Sequence, residues 1–175
     1  QTNGRVSGNV PYGTMTTMSE SPLRFGLIYT GTDDGNIHVS KDGGYSWEQL
    51  NKATTAEVKS QKSKLKTVDS RLNTQQLWVS RITASQYKES RVYASLNGYR
   101  FDHFAPYLYV SDDYGTTWKQ IGKDLPNEPI NVVKEDPKND SILYVGTDGG
   151  LYVSFDAGNS FMLWNNGMSE SVPVH

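Results

Sequence analysis

Residues 40–47 read SKDGGYSW, and two related stretches follow along the chain, SDDYGTTW at 111–118 and SFDAGNSF at 154–161. The pattern that they share is Ser-x-Asp-x-Gly-x-(Ser/Thr)-(Trp/Phe). A single copy could be a catalytic loop that holds a carboxylate ready. Three regularly placed copies instead indicate a structural turn that recurs in every unit of a repeat protein.

The similarity extends upstream of each copy. Residues 27–40 resemble residues 142–154, and residues 91–111 follow the same frame with extra residues in the middle. One segment earlier, MTTMSESP, VSRITAS and INVVKEDP also align, beginning at residues 15, 79 and 130. Each unit therefore contains four short segments of β-branched, aromatic and aliphatic residues separated by Gly, Asp, Asn and Pro, which predicts four strands. In the third unit we expect these strands near 130–134, 142–146, 151–154 and 160–164.

The spacing of the units indicates the architecture. Ser111 and Ser154 lie 43 residues apart, and one four-stranded propeller blade takes about 40–50 residues. No unit shows the 3.6-residue apolar period of a helical repeat. The sequence therefore predicts an all-β propeller segment of three four-stranded antiparallel blades. We expect blade 1 at about 12–51, an insertion at 52–76, blade 2 at about 77–122, blade 3 at about 129–165 and the start of a further blade at 172–175.

Three blades are fewer than the roughly four to eight that a propeller normally has. We therefore expect this segment to belong to a larger propeller of roughly six to eight blades. The missing blades would come from the parent chain, from another chain or from a symmetry mate, because bare flanking blades would expose apolar surface.

Each repeated stretch is predicted to be the hairpin turn between the third and fourth strands of a blade. Its glycine suits a positive φ, its aspartate accepts hydrogen bonds from turn amides, and its serine closes the loop. Its aromatic residue opens the fourth strand and packs against a neighbouring blade. The residues with these predicted structural roles are Ser40, Asp42, Gly44, Trp47, Ser111, Asp113, Gly115, Trp118, Ser154, Asp156, Gly158 and Phe161.

This pattern resembles the Asp-box, or bacterial neuraminidase repeat, which is found in sialidases, sortilin-type receptors, propeller glycosidases and photosystem assembly factors. Residues 28–47, IYTGTDDGNIHVSKDGGYSW, are also similar to large exported bacterial proteins described as glycosyl hydrolase-like. The resemblance covers residues 12–175 and implies a β-propeller, but it selects no single activity because one fold hosts many. In sialidases the Asp-boxes lie on the side away from the active site, which implies a structural role for them here.

The second unit departs from the others by two insertions. Residues 52–76 connect blade 1 to blade 2, and residues 97–105 lie between the second and third strands of blade 2. Connectors between blades and loops between second and third strands share one face of a propeller, so both insertions are expected opposite the box turns. The longer insertion is basic, with Lys52, Lys59, Lys62, Lys64, Lys66 and Arg71 against Glu57 and Asp69. It is either a solvated polar loop, with a short amphipathic helix as one form, or a contact for an acidic partner or an anionic polysaccharide.

The shorter insertion holds the predicted ligand-binding residues, which are Tyr99, Arg100, Asp102 and His103. Aromatic rings beside Arg, Asp and His could stack on and hydrogen-bond a sugar or a peptide. The structural alternative is an ion pair between Arg100 and Asp102, with the rings of the insertion tucked against blade 2.

Carboxylates on the same face allow an enzymatic alternative, in which Asp33, Asp34, Asp102 and Asp148 are the candidate catalytic residues. Paired carboxylates hydrolyse glycosidic bonds, although Asp-Gly is also a common hairpin turn. The arginine triad and the tyrosine–glutamate pair that resemblance to a sialidase would require are absent. The main expectation is therefore a non-catalytic scaffold or recognition segment that binds protein or carbohydrate on the face opposite the boxes. The alternative is part of a propeller glycoside hydrolase.

The composition excludes several other classes. The net charge of −2 gives no general attraction to nucleic acid or anionic membrane, and the absence of cysteine removes disulfides and thiol nucleophiles. The three histidines show no metal-ligand spacing, so no metal and no cofactor are expected. No apolar run approaches the roughly 18 residues of a membrane span. The chain begins with Gln1 rather than Met, and the resemblance implies an exported bacterial protein, periplasmic, cell-surface or secreted.

Overall fold

The computed structural model describes residues 13–51, 77–165, 167 and 173–175. Within these ranges the chain forms three four-stranded antiparallel sheets, each of which we call a blade. Blade 1 contains β1 (Met15–Glu20), β2 (Ile28–Thr32), β3 (Ile37–Ser40) and β4 (Glu48–Gln49). Blade 2 contains β5 (Trp78–Ala84), β6 (Val92–Gly98), β7 (His103–Ser111) and β8 (Lys119–Ile121). Blade 3 contains β9 (Ile130–Glu135), β10 (Leu143–Thr147), β11 (Leu151–Ser154) and β12 (Met162–Leu163).

Every blade is a meander in which consecutive strands are neighbours. The prediction of an all-β chain with three four-stranded antiparallel sheets is therefore confirmed. In blade 3 the strands differ from the predicted ones by one or two residues at their ends, and the fourth strand is only two residues long. The basic insertion 52–76 lies outside the described residues.

The first strand of each blade has an irregular residue, and in blades 1 and 2 this residue forms a hydrogen bond to the following blade. The ladders shift register at Thr16 in β1, at Ser80 in β5 and at the matching point of β9. The Thr16 hydroxyl donates to the Val79 carbonyl oxygen over 2.7 Å, and the Ser80 hydroxyl donates to the Ile130 carbonyl oxygen over 2.6 Å. These bulges therefore join adjacent blades at equivalent points, and they show which residues of the three blades correspond.

Two hydrophobic cores lie between the blades. The first is formed by blade 1 residues such as Tyr29 and Val39 together with blade 2 residues such as Ile82 and Trp118. The second is formed by residues of β6, β7 and β8 together with residues of β9, β10 and β11. Because full burial of one Val, Leu or Ile side chain contributes about 1.5–3 kcal/mol, these inter-blade cores are the main source of stability.

The aromatic residue at the start of each fourth strand packs against the preceding blade where one is present. Trp118 of blade 2 is 9% exposed and belongs to the core shared with blade 1. Phe161 of blade 3 packs against the core shared with blade 2. Trp47 of blade 1 is 46% exposed, which differs from the predicted packing against a neighbouring blade. The physical reason is that no described residue lies on the side of blade 1 that its indole faces.

The three Ser-x-Asp-x-Gly stretches form one turn with the same hydrogen bonds in each blade. The serine hydroxyl donates to the aspartate carboxylate over 2.8 Å and accepts from the glycine amide, also over 2.8 Å. The carboxylate also accepts the amide and the hydroxyl of the Ser or Thr four residues after it. All twelve residues predicted for these turns thus lie in or directly beside three near-identical hairpins.

Two successive residues of each hairpin have positive φ, where the sequence indicated only one. The residue before the glycine has φ of 76° at Gly43, 60° at Tyr114 and 58° at Ala157. Its amide donates in each case to a carbonyl oxygen of the turn between the first and second strands, over 2.8–2.9 Å. This tertiary hydrogen bond holds the left-handed conformation even where the residue carries a side chain.

Hydrogen bonds within these hairpins change the acidity of their carboxyl groups. The hydroxyl and the amide of the residue four positions on are the main cause that lowers the pKa of Asp42 and of Asp156 to about 2. At Asp113, partial burial acts to raise the pKa. The hydrogen bonds of the hairpin outweigh burial, so the pKa of Asp113 is also lowered. The hairpins therefore favour ionised carboxylates, which fits a structural role.

Candidate functional site

The face opposite the Ser-x-Asp-x-Gly hairpins carries the turns that follow β2, β6 and β10. Strands alternate in direction, so these turns lie at one end of the blades and the hairpins at the other. This face includes the four candidate carboxylates and the shorter insertion, and we call it the insertion face. The sequence predicted that the shorter insertion projects from it.

Asp33 lies at the start of the turn between β2 and β3, and it is almost buried. Its carboxylate accepts the Thr14 amide over 2.8 Å, and its own amide donates to the Thr14 carbonyl oxygen over 3.0 Å. Asp33 thus ties the chain entering β1 to the end of β2. A cationic neighbour comes from the other blade, since Arg100 Nη1 lies 3.9 Å from Asp33 Oδ2.

Asp34 belongs to the same turn, but its hydrogen bonds are to residues close to it along the chain. Its carboxylate accepts the Thr32 hydroxyl and, over 2.8 Å, the side-chain amide of Asn36. Asn36 in turn accepts the Gln49 side-chain amide over 2.6 Å. Asp34 is therefore the centre of a local hydrogen-bond network that closes the turn of blade 1.

Asp148 occupies the equivalent turn of blade 3, where it accepts the Asn131 side-chain amide over 2.9 Å. The neighbouring carboxylate, Glu128, was not singled out from the sequence. It accepts the Thr147 hydroxyl over 2.9 Å and the Gly149 amide over 2.8 Å. A Cβ at Gly149 would collide with that carboxylate, so the glycine is needed for this close approach. The only signal for Glu128 in the sequence is its place just before β9.

The shorter insertion is a tight turn between β6 and β7. A single 3₁₀ turn, Tyr99–Phe101, leads into Asp102, which has a left-handed φ of 58°. Asp102 is exposed, and its backbone amide donates to the Tyr99 carbonyl oxygen over 3.3 Å. Asp and Asn adopt this conformation more readily than other residues with side chains, which explains an aspartate here.

The Arg100 side chain extends from the insertion and contacts Trp78 of blade 2 and Asp33 of blade 1. Its guanidinium lies 5.2 Å from the centre of the Trp78 ring, within cation–π distance, and its nearest carboxylate is Asp33 of blade 1. The structure thus pairs Arg100 with Asp33, and the ion pair with Asp102 considered from the sequence is wrong. A contact across blades could not be seen from sequence, because Asp33 and Arg100 are far apart along the chain.

The aromatic residues of the insertion form a small shelf, which we define as Tyr99 and Phe104. Their rings meet edge to face, with centroids 6.0 Å apart and planes at 77°. Both are well exposed, at 65% and 43%. His103 Nδ1 lies 3.3 Å from the Tyr107 hydroxyl beside them. The predicted binding residues Tyr99, Arg100 and His103 therefore lie together with Phe104 of the same insertion, and Trp78 is a member that the sequence did not single out.

The carboxylates on this face do not form a group with an obvious reactive role. Asp33 and Asp34 share one turn, but Asp33 accepts the Thr14 amide at the entry to β1, and Asp34 accepts the Asn36 side-chain amide of the turn itself. Asp102 lies in the insertion of blade 2 and Asp148 in blade 3. Across residues 13–51 and 77–165, no cluster of three or more histidine and acidic side chains is placed to hold a metal ion. These hydrogen bonds support the structure of the turns.

No protein-family model matches the chain, and no curated protein matches it. Several solved structures do match it in fold. An ancestral GH74 enzyme aligns with 93% of this chain at a TM-score of 0.63 and 12% identity, over 19% of its own length. The GH74 xyloglucanase from Xanthomonas campestris aligns with 89% at 0.61 and 15% identity, over 24% of its length. A structure of YCF48 bound to D1 peptide aligns with 87% at 0.58 and 14% identity, over 41% of its length.

These neighbours are β-propellers, so the chain has the fold of a partial propeller of about three blades. The chain spans less than half the length of each of these structures. At identities this low the likeness concerns the fold alone. No helix in the described part of the chain has the length and apolar character to cross a membrane.

Proposed function

We propose that the chain is a non-catalytic scaffold and recognition segment of an Asp-box propeller, which binds protein or carbohydrate on its insertion face. The observation that carries the proposal is the exposed shelf of Tyr99 and Phe104, held beside the Arg100–Asp33 contact between two blades. Exposed aromatic rings on a rigid base are suited to binding, because they bury a large area at a small cost in conformational entropy.

The Asp-box assignment rests on the three hairpins. Each has the same serine, aspartate and glycine with the same hydrogen bonds, and each aromatic residue opens the fourth strand. Export from the cytoplasm is part of the proposal and is supported by the sequence resemblance alone. The absence of cysteine is compatible with either compartment.

Both ligand classes in the proposal occur among proteins of this fold. One neighbour is described as bound to a D1 peptide, and another is described as a xyloglucanase. The enzymatic alternative, a glycoside hydrolase part with Asp33, Asp34, Asp102 or Asp148 as catalytic residues, is not favoured. Asp33, Asp34 and Asp148 each accept a hydrogen bond from a donor of their own blade.

The proposal is tested by measuring binding and hydrolysis with the same preparations. Binding is measured by affinity electrophoresis in gels that contain xyloglucan or another soluble polysaccharide, and on arrays of immobilised peptides. Hydrolysis is measured as the release of reducing ends from the same polysaccharides. We expect binding to one of the two ligand classes without bond cleavage.

Two matched double variants test whether the ligand binds at the shelf of Tyr99 and Phe104. Tyr99→Ala with Phe104→Ala should weaken binding at least tenfold. Phe25→Ala with Tyr45→Ala removes two aromatic rings that are each 94% exposed, at the other end of blade 1, and should leave binding unchanged. Equal loss in both, or cleavage that Asp33→Asn or Asp102→Asn abolishes, would reject the proposal.

A further inference from the structure

Blade 1 has a side that faces away from blade 2, and we call it the outer face of blade 1, defined by Met18, Glu20, Phe25 and Trp47. The ladder registers identify the residues of blades 2 and 3 that correspond to it. Met18 pairs with Thr30 as Ile82 pairs with Ala94 and as Val133 pairs with Val145. The corresponding residues are in very different surroundings.

Apolar residues on this face are exposed where their counterparts are buried. Met18 is 63% exposed, while Ile82 and Val133 are 2% and 1% exposed. Trp47 shows the same contrast with its counterpart Trp118. Both buried counterparts in blade 2 are covered by blade 1, and Val133 is covered by blade 2. Each interface inside the chain is thus made by a blade that covers the one following it.

A carboxylate on this face also has a buried counterpart. Glu135 occupies in blade 3 the place of Glu20 in blade 1. Its carboxylate is buried and accepts the Ser85 hydroxyl over 2.7 Å and the Gln86 amide over 2.8 Å, both from blade 2. The Tyr93 side chain of blade 2 bonds it as well. Glu20 is exposed, and its carboxylate accepts one amide of its own blade, that of Gly26.

Phe25 lies at the end of blade 1 that carries the hairpins, and it can also be compared with its counterpart in blade 2. Its counterpart in blade 2 is Glu89, which forms an ion pair with Arg24 of blade 1 over 3.2 Å. The position is therefore one that touches the preceding blade. In blade 1 it holds a phenyl ring that is 94% exposed.

We propose that the outer face of blade 1 is an interface for another blade of this same repeat, placed before blade 1 in the polypeptide. That blade covers Met18 and Trp47 with apolar residues of its second and third strands. It also presents a tyrosine and a hydroxyl to Glu20, as Tyr93 and Ser85 do to Glu135. Continuity with the two interfaces inside the chain is the argument for this occupant.

A second copy of the chain fits this interface less well, because residues 173–175 already pack against the surface of blade 3 that would have to cover blade 1 of the other copy. Blade 3 would have to cover blade 1 of the other copy. The Val174 amide donates to the Thr147 carbonyl oxygen over 3.0 Å, and a Cβ at Gly146 would come within 2.7 Å of the Val174 side chain. Val79 approaches Gly31 of blade 1 in the same way. Residues 173–175 therefore lie where β1 of a second copy would have to pack.

The test uses the absence of cysteine from the chain, which makes a single introduced thiol a specific reporter. Met18→Cys is prepared in the chain itself and in a tandem protein that carries an additional copy of residues 77–128 directly before Thr14. The rate of modification by 5,5′-dithiobis(2-nitrobenzoate) is measured in both. We expect the thiol to react at least tenfold more slowly in the tandem protein.

Two controls accompany this comparison. Met162→Cys, an exposed position in β12 of blade 3, should react at the same rate in both proteins. Leu108→Asp in the added copy alone should restore fast modification of Cys at position 18, because Leu108 is a buried residue of the covering side. A thiol at position 18 that reacts equally fast in the chain and in the tandem overturns the proposal. So does protection in the chain alone that increases with protein concentration, since a second copy would then be the occupant.

A second measurement needs no tandem protein. Met18→Ala should leave the Tm of the chain unchanged, while Ile82→Ala at the covered counterpart should lower it by roughly 5 °C or more. An equal loss of Tm in both variants would show that Met18 is already covered in the chain, which contradicts an open interface.

Discussion

Arg100 of blade 2 lies 3.9 Å from Asp33 of blade 1 while its guanidinium covers the Trp78 ring. The contact joins two blades at the face that also carries the exposed aromatic shelf. Asp33 is nearly buried, and Arg100 is more than two-thirds covered. A positively charged group in this position keeps a carboxylate compensated and fixes the insertion against blade 1.

The first prediction concerns this contact. Arg100→Ala should lower the free energy of unfolding by about 1–3 kcal/mol, because it removes the cationic contact with the nearly buried Asp33 carboxylate and the packing of the guanidinium on the Trp78 ring. Arg24→Ala is the matched control, since the Arg24–Glu89 pair also joins blades 1 and 2 but is exposed to solvent. That loss should stay within about 1 kcal/mol. Urea unfolding followed by circular dichroism measures both, and a larger loss for the control would contradict the prediction.

The second prediction concerns the hairpin of blade 2. Ser111 is buried, and its hydroxyl oxygen accepts the Gly115 amide over 2.8 Å. Ser111→Ala removes that acceptor and should cost about 1–3 kcal/mol of unfolding free energy, because a buried amide loses its partner. Thr116→Ala removes a hydroxyl of the same hairpin that is exposed, and should change stability by less than about 0.5 kcal/mol. Thermal unfolding of the two variants decides the matter.

The third prediction concerns the dependence of stability on pH. The pKa of Asp156 is about 2 in the folded chain, because of hydrogen bonds led by that from Ser160, and an unfolded aspartate has a pKa of about 3.9. The folded state thus favours the ionised form, so this contribution to stability is complete above about pH 4 and is lost as the pH falls towards 2.

Asp156→Asn keeps an acceptor oxygen but removes the titration. We expect the free energy of unfolding of this variant to fall less steeply between pH 4 and pH 2 than that of the unmodified chain. Asp102→Asn makes the same change of charge at an exposed site outside the hairpins and controls for net charge. Identical slopes for Asp156→Asn and the unmodified chain would show that the hairpin carboxylate does not contribute.

The fourth prediction compares two corresponding tyrosines. Tyr93 bonds the buried Glu135 carboxylate of the next blade, and burial, followed by that charge, raises its pKa. Tyr29 is the corresponding residue of blade 1, but its hydroxyl is buried and has no hydrogen-bond partner among the described residues. The reason is that blade 2 has Ala84 where blade 3 has Glu135.

Removal of the two hydroxyls should therefore change the free energy of unfolding differently. Tyr93→Phe should destabilise the chain by about 1–2 kcal/mol, since a buried carboxylate loses a donor. Tyr29→Phe should be neutral or stabilise it by up to about 1 kcal/mol, since an unpaired polar group leaves the core. Chemical denaturation of both variants measures the difference, and a loss for Tyr29→Phe as large as that for Tyr93→Phe would refute the comparison.

Much of the fold could be predicted from the sequence because it is repeated locally. The spacing of the Ser-x-Asp-x-Gly stretches, together with strands of alternating character, was sufficient for the number of sheets and of strands in each. Predicted and observed strands of blade 3 differ mainly at β12, because a short edge strand ends where its hydrogen bonds to β11 end. The residues of each hairpin form hydrogen bonds to one another within a stretch of eight residues. Its role as a structural turn could therefore be predicted from the sequence.

The candidate site was less predictable, because its contacts join distant parts of the chain. One of the two alternatives drawn from the sequence paired Arg100 with Asp102, two residues away, whereas the fold places Arg100 beside Asp33 of another blade. Trp78 and Glu128 were not singled out, since neither lies in a repeated motif. The basic character of 52–76 remains a prediction about residues outside the described part.

The sequence by itself determined the repeating unit: four strands, a hairpin with an aspartate that accepts hydrogen bonds, and an aromatic residue that begins the fourth strand. These features depend on residues close together along the chain, and they recur wherever the pattern recurs. Only the tertiary structure decided which of these equivalent residues are buried, because burial depends on the neighbouring blade. Trp118 is covered and Trp47 is not, although the two occupy the same place in their repeats.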